Sequence, residues 1–401
     1  MIHLHHGWVV AVLTVAAFPL IYYLLAIFAA LAFSRKANTH APPIPTPTFE
    51  PPVSILKPVH GVDFASYDNY ASFCKQDYPD YEILFAVNQE IDPAIALITR
   101  LIADYPQRRI ILLIGSEYFG ANQKVNNLAR LTREARHEVL TLTDGDVRVG
   151  PKYLRNVVAP LRDPIVGAVT SFYRGIAQSN LYAELEAVGA SSDFFAGVLM
   201  AAWTEGVKFT LGASVATTKT WVQKIGGFEA VAAFLADDYE IGRRVTQSGG
   251  RVVLSHETVS TMYSAQTPKN FWQHQLRWAR TVRLCRPASY AALLFTQGLP
   301  WAIAAALLAP THWIGGSYLL GYLVLRLAVA WFVGVSVVGD QVLRRRLWLV
   351  PLWDAIHFVV WTASFASNHV VWGNIEYVVD RGRMRPVAPQ NKLRTPTRET
   401  R

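Results

Sequence analysis

The apolar run Val139–Leu142 leads into Thr143-Asp144-Gly145-Asp146, two carboxylates one residue apart at a turn. Carboxylates so spaced can converge on one divalent cation. Mg2+ or Mn2+ usually takes one or two carboxylates plus substrate phosphates, which makes Asp144 and Asp146 a candidate site for a nucleotide diphosphate. An Asp-Gly pair after a strand is also an ordinary turn former. Asp237-Asp238 opens a second stretch, DDYEIGRRVTQSGG, whose closing glycines suit a helix stop. Acids in a helix's first turn meet its free N–H groups and its dipole. The chemical alternative is that one of them serves as a general base, tuned by nearby charge. FWQHQLRWAR, from Phe271, mixes aromatic and basic residues on an expected helix. There Arg277 can set a guanidinium fork on a diphosphate, while Trp272 and Trp278 suit a lipid headgroup region. GANQKVNNLAR, from Gly120, joins a glycine, amides and Lys124. It can hold phosphate or sugar hydroxyls, or serve simply as a polar loop with an asparagine helix cap.

The surrounding chain decides what can position these groups. Of 401 residues, 52% are hydrophobic and 17% charged, too apolar for an ordinary soluble enzyme and too charged in the middle to be all membrane. The formal charge of +9 suits an anionic membrane surface, and no nucleic-acid recognition motif accompanies it. Cys74 and Cys285 are the only cysteines, so neither a disulfide framework nor a zinc site is indicated. Residues 8 to 33 carry no charge for 26 positions, enough to span a bilayer as a helix. A cleaved signal would have its basic residues before the apolar run; here Arg35-Lys36 follow it and place the next domain in the cytoplasm.

The division expected is an N-terminal anchor (1–34), a proline-rich linker (35–52), a catalytic domain (53–287), a membrane region (288–373) and a basic tail (374–401). Short apolar runs at 53, 81, 109, 139 and 166 read as strands, with amphipathic stretches between them. That alternation predicts an α/β fold with a mainly parallel sheet covered by helices, its ligands beyond the carboxyl ends of the strands. Three further apolar stretches lie near 289–310, 315–338 and 348–372. If all three cross, the basic tail falls on the wrong side, so one of them is expected to be interfacial or re-entrant.

In order along the chain, VSILKPVHGVD, DYPDYEILFAV, IDPAI, GANQKVNNL, TDGDVRV, ADDYEIG and LRW resemble the ceramide glucosyltransferase family of inverting, GT-A nucleotide-sugar glycosyltransferases. The resemblance implies that Asp92 lies near the uracil and ribose of a UDP-sugar and Asp144 on the metal or donor phosphates. Asp238 becomes the base that activates the acceptor hydroxyl, and Arg277-Trp278 the end of the Q/R-x-x-R-W signature that holds the diphosphate. Lys124 joins the donor side, Asp237 and His274 the acceptor side, and Asp144 with Asp146 the ligands of an Mg or Mn cation.

The chain also departs from that pattern. His274 stands where the signature has Gln or Arg, unlike a processive polysaccharide synthase. The histidine and cysteine of the ceramide enzymes are missing near Ser192 and Phe209, and Asp146 replaces a glycine of the animal enzymes. With an Ala- and Arg-rich, Lys-poor composition, the resemblance extends to hopanoid-associated bacterial glycosyltransferases. These imply N-acetylglucosamine transfer from UDP-GlcNAc to bacteriohopanetetrol at the bacterial inner membrane, with UDP-glucose and ceramide as the alternative pair. A non-catalytic scaffold of the same fold would lack the key acids, and all of them are present.

Overall fold

The computed structural model describes residues 2–39, 49–373 and 375–387. Most of the proline-rich linker and the end of the basic tail lie outside the described residues. The main sheet has eight strands: β1 (Val53–Val59), β2 (Tyr81–Val87), β3 (Arg109–Ile114), β4 (Val139–Thr143), β5 (Val147–Arg148), β6 (Val166–Ala177), β7 (Ser214–Thr218) and β8 (Arg251–Tyr263). Their spatial order is β3-β2-β1-β4-β7-β6-β8-β5. β1 pairs in parallel with both β2 and β4, as does β2 with β3 and β6 with β8, whereas β7 runs antiparallel between β4 and β6. Every residue of β1, β2 and β4 is buried, as expected for strands covered by helices on both faces. The mainly parallel sheet read from the apolar runs is therefore present.

The sheet order matters chemically. From β1 the chain winds outward through β2 to β3, then returns to place β4 on the other side of β1. At such a reversal the loops leaving the two adjacent strands diverge and open a crevice at their carboxyl ends. The loops here are His60-Gly61 after β1 and Asp144-Gly145-Asp146 after β4.

Helices long and apolar enough to cross a membrane cover Gly7–Arg35, His312–Val337 and Leu347–Ser364, and Pro287–Thr296 with Gly298–Leu308 forms a pair bent by 44°. Leu181–Thr204 also qualifies, yet 61% of it is buried within the protein. Arg326 ties these parts together: it is buried, forms a bidentate pair with Asp354 at 2.8–3.1 Å and donates to the Ser192 carbonyl at 2.9 Å. Apolar surroundings make such a group tolerable only when paired.

The third apolar stretch differs from its expected extent. Its helix stops at Ser364, and residues 369–372 form a strand instead. This strand, β9 (His369–Trp372), joins β10 (Ile375–Asp380) and β11 (Arg383–Pro386) in an antiparallel three-stranded sheet. What reads as the start of a basic tail is thus ordered. It docks on the catalytic domain through Leu235 N to Gly382 O (3.0 Å) and Met384 N to Ala233 O (2.8 Å), over a core of Ala121, Leu235, Val370, Tyr377, Val379 and Met384.

Candidate active site

The crevice between β1 and β4 holds a cavity of about 200 Å³ lined by Val59, His60, Gly61, Asp63, Tyr70, Gly145 and Asp146. Asp92, just beyond β2, is buried and stands behind this wall. Its carboxylate accepts from Gly61 N (2.9 and 3.1 Å) and Ala94 N (2.9 Å) and lies 3.3 Å from His60 Nδ1. It shapes the cavity by fixing the His60-Gly61 turn.

Lys57 supports the opposite loop from inside β1. A lysine in a fully buried strand is costly, and it is held by the Phe73 ring, 3.9 Å from Nζ, and by donation to Thr143 Oγ1 (3.0 Å) and Asp144 O (2.8 Å). Burial lowers its pKa to about 7. Asp146 shows the opposite imbalance. Burial, then the Asp144 and Asp63 carboxylates, raise its pKa to about 7. No side-chain donor bonds the Asp146 carboxyl among the described residues.

Lys124 sits on the Gln123–Glu134 helix, capped by Asn122 donating nothing there but accepting from Val125 N at 3.2 Å. Its Nζ lies 2.6 Å from Asp144 Oδ1 and 3.7 Å from Asp237 Oδ2, and these anions keep its pKa raised despite burial. Asn122 Nδ2 donates to Asp237 Oδ1 at 3.2 Å, so Asp237 is occupied on both oxygens. Asp238 is different. Its Oδ1 accepts from Tyr239 N (2.7 Å), while no hydrogen bond reaches Oδ2 among the described residues.

Backbone proximity sets that orientation. A Cβ on Gly242 would lie 2.4 Å from Phe209 Cα, so only glycine lets the Asp237–Gln247 helix press onto this segment, where Thr210 Oγ1 donates to Asp238 O at 2.8 Å. A Cβ on Gly212 would meet Asp238 Oδ2 at 3.1 Å and Lys124 Nζ at 3.5 Å. The acid and the lysine therefore share one small space. Burial, then Asp237, raise the Asp238 pKa to about 6.

Residues 11–385 match the model for glycosyl transferase family 21. The chain belongs to this family. It is 26% identical over 279 residues to ceramide glucosyltransferase 1 of Caenorhabditis elegans, covering 69% of this chain and 58% of that protein. To the ceramide glucosyltransferase of Komagataella phaffii (strain GS115) it is 34% identical over 110 residues, 26% of this chain and 22% of that protein. The matched regions thus span 58% of the first of these relatives and 22% of the second. A mannosyltransferase from Pyrobaculum calidifontis, solved with GDP-mannose and Mn2+, superposes with a TM-score of 0.50 at 16% identity, covering 88% of this chain and 99% of that one. With the sheet described above, the fold is GT-A.

The family signature lies on the Pro268–Cys285 helix. His274 contacts Glu186, a buried carboxylate on the Leu181–Gly189 helix that also receives Gln266 Nε2. Trp278 packs edge-on to Phe194 at 5.8 Å. Arg277 lies over Trp372 with 5.9 Å to the ring centroid, and no carboxylate or carbonyl bonds it among the described residues. Burial lowers its pKa to about 10. Ser192 is occupied by Arg326, and Phe209 by the close approach of Gly242. Sequence reasoning did not single out Lys57, Gly212 or Glu186. A lysine inside an otherwise apolar strand run was the one visible signal for Lys57.

A divalent cation suits this donor set. Among the described residues no group of three or more His, Cys, Asp or Glu side chains converges on a metal position. Two hard oxygen donors, Asp144 and Asp146, fit an ion whose remaining ligands come from phosphates and water.

Proposed function

We propose that the chain is a membrane-bound inverting glycosyltransferase that moves a sugar from a UDP-sugar to a lipid hydroxyl. The observation that carries this reading is Asp238: a carboxylate poised near pH 6, with one oxygen unbonded, opening onto the space shared with Lys124 and Asp144. The nucleotide enters the cavity between His60-Gly61 and Gly145-Asp146. A divalent ion on Asp144 and Asp146 would neutralise diphosphate charge there. Lys124 and Arg277 supply fixed positive charge to the departing diphosphate, where preorganised groups lower the barrier most.

Asp238 takes the proton of the acceptor hydroxyl. The freed oxygen pair forms the bond to the anomeric carbon as the bond to the UDP oxygen breaks, with that electron pair leaving on the phosphate. A single displacement inverts the configuration. Apolar helices on both sides of the domain hold it against the bilayer, so an insoluble acceptor reaches the cleft without crossing water.

The finer reading is N-acetylglucosamine from UDP-GlcNAc onto bacteriohopanetetrol at the cytoplasmic face of a bacterial inner membrane, supported by the Ala- and Arg-rich composition and by the absence of the ceramide enzymes' histidine and cysteine near Ser192 and Phe209. Glucosylation of ceramide is the second reading, and the ceramide glucosyltransferase relatives favour it. Purified protein incubated with labelled UDP-sugars, Mn2+ or Mg2+, and either lipid distinguishes them by mass spectrometry of the product. A HexNAc-bearing hopanoid is expected; a hexosylceramide supports the second reading, and no labelled lipid from any donor removes both.

A further inference from the structure

Arg277 is a half-buried cation with no ion pair among the described residues, and the segment that meets it follows the Val350–Ser364 helix. Three arginines, Arg277, Arg280 and Arg283, recur at helical spacing on one face of the Pro268–Cys285 helix. Arg283 Nη2 donates to Ser367 O at 3.0 Å and to Asn368 Oδ1, and Arg280 Nη1 donates to His369 O. The strand β9 therefore runs antiparallel to this helix, its first residue and the two before it pinned by two guanidinium groups. The next contact along that line is Arg277 over the face of Trp372. A cation within about 6 Å of an indole centroid is attracted by the ring quadrupole, and the ring offers no competing acceptor.

The same small sheet also grips the two other site segments. Leu235 N donates to Gly382 O in the turn before β11 and Met384 N of β11 donates to Ala233 O, tying down the segment that ends two residues before Asp237, and Arg383 lies over the Phe234 ring at 5.2 Å. Asn122 Nδ2 donates to both Phe234 O and Asp237 Oδ1, while its Oδ1 caps the helix carrying Lys124 by accepting from Val125 N.

We infer that Trp372 is a positioning residue for the reaction: it holds the Arg277 guanidinium against its ring with the fork left open for the donor diphosphate, so the C-terminal sheet completes the donor site. This rests on the assignment of Arg277 to the diphosphate. A bonded carboxylate in place of the ring would neutralise Arg277, whereas the indole face orients the group and leaves its N–H donors available.

The test uses the full chain in detergent with four variants: Trp372→Ala, Trp372→Phe, Arg277→Ala and the Arg277→Ala/Trp372→Ala double. UDP affinity, donor KM, kcat and Tm are measured for each. Trp372→Ala should weaken UDP binding and raise donor KM by about 2- to 30-fold, the range of a cation–π contact, with kcat much less affected. Trp372→Phe should restore most of the loss. In the Arg277→Ala background, Trp372→Ala should add less than twofold. Losses that add in the double variant, or a Trp372→Ala protein with unaltered UDP affinity at wild-type Tm, overturn the positioning role. Unaltered UDP affinity in Arg277→Ala instead overturns the assignment of Arg277 itself, and the inference falls with it.

Discussion

Asp237 and Asp238 are adjacent in sequence yet differ in chemical availability. Asn122 and Lys124 engage Asp237, whereas Asp238 keeps Oδ2 open and its pKa raised to about 6. As a base it must be ionised, so kcat/KM should rise with pH through about 6 and then level, falling roughly tenfold per unit below that point. A flat profile between pH 5 and 7 would remove Asp238 from proton transfer. Lys57→Met keeps the apolar stem beside Phe73 and deletes the donor to Asp144 O and Thr143 Oγ1. Loss of a charged hydrogen-bond donor costs about 1.5–3 kcal/mol; weaker UDP binding, read by calorimetry, is the expected result. The acids were visible in the sequence because their types and turn spacing are chemical signatures. Their division of labour was not, since it depends on Asn122, more than a hundred residues away, and on the contact allowed by Gly212.

The strands that build the crevice were legible because parallel strands buried on both faces are nearly continuous apolar runs. Antiparallel β7, Ser-Val-Ala-Thr-Thr, has no such run and takes its place only by pairing between β4 and β6. The C-terminal strands were hidden for a related reason: their Arg-rich sequence resembles a solvated tail, and their order comes from docking on 233–235. The Asp237–Gln247 helix owes its position to the glycine at 242. Gly242→Ala drives a methyl group into the Phe209 backbone, and overpacking of this kind costs about 1–3 kcal/mol. A lower Tm together with lost turnover is expected; a variant with wild-type stability and rate would mean that this approach does not set Asp238.

Across the whole molecule, the bonds from Leu235 to Gly382 and from Met384 to Ala233 place the C-terminal sheet on the same side of a bilayer as the catalytic domain. We propose from this that the chain between 287 and 369 crosses an even number of times, leaving one of the three apolar stretches that does not span. The Val350–Ser364 helix is that segment in this account, because it packs on the Pro268–Cys285 helix of the domain and pairs His357 with Asp193 at 3.0 Å. Cysteines introduced as Glu117→Cys and Asp380→Cys should react with an impermeant thiol reagent from the same side of sealed vesicles; labelling from opposite sides would refute this arrangement. On the proposed function, the bilayer presents a lipid hydroxyl to Asp238 beside the crevice between β1 and β4. The most direct test of that claim compares wild-type and Asp238→Asn protein in proteoliposomes supplied with labelled UDP-sugar and lipid acceptor. UDP affinity should be unaltered while glycolipid turnover falls by about 100-fold or more; wild-type turnover in Asp238→Asn would contradict the account.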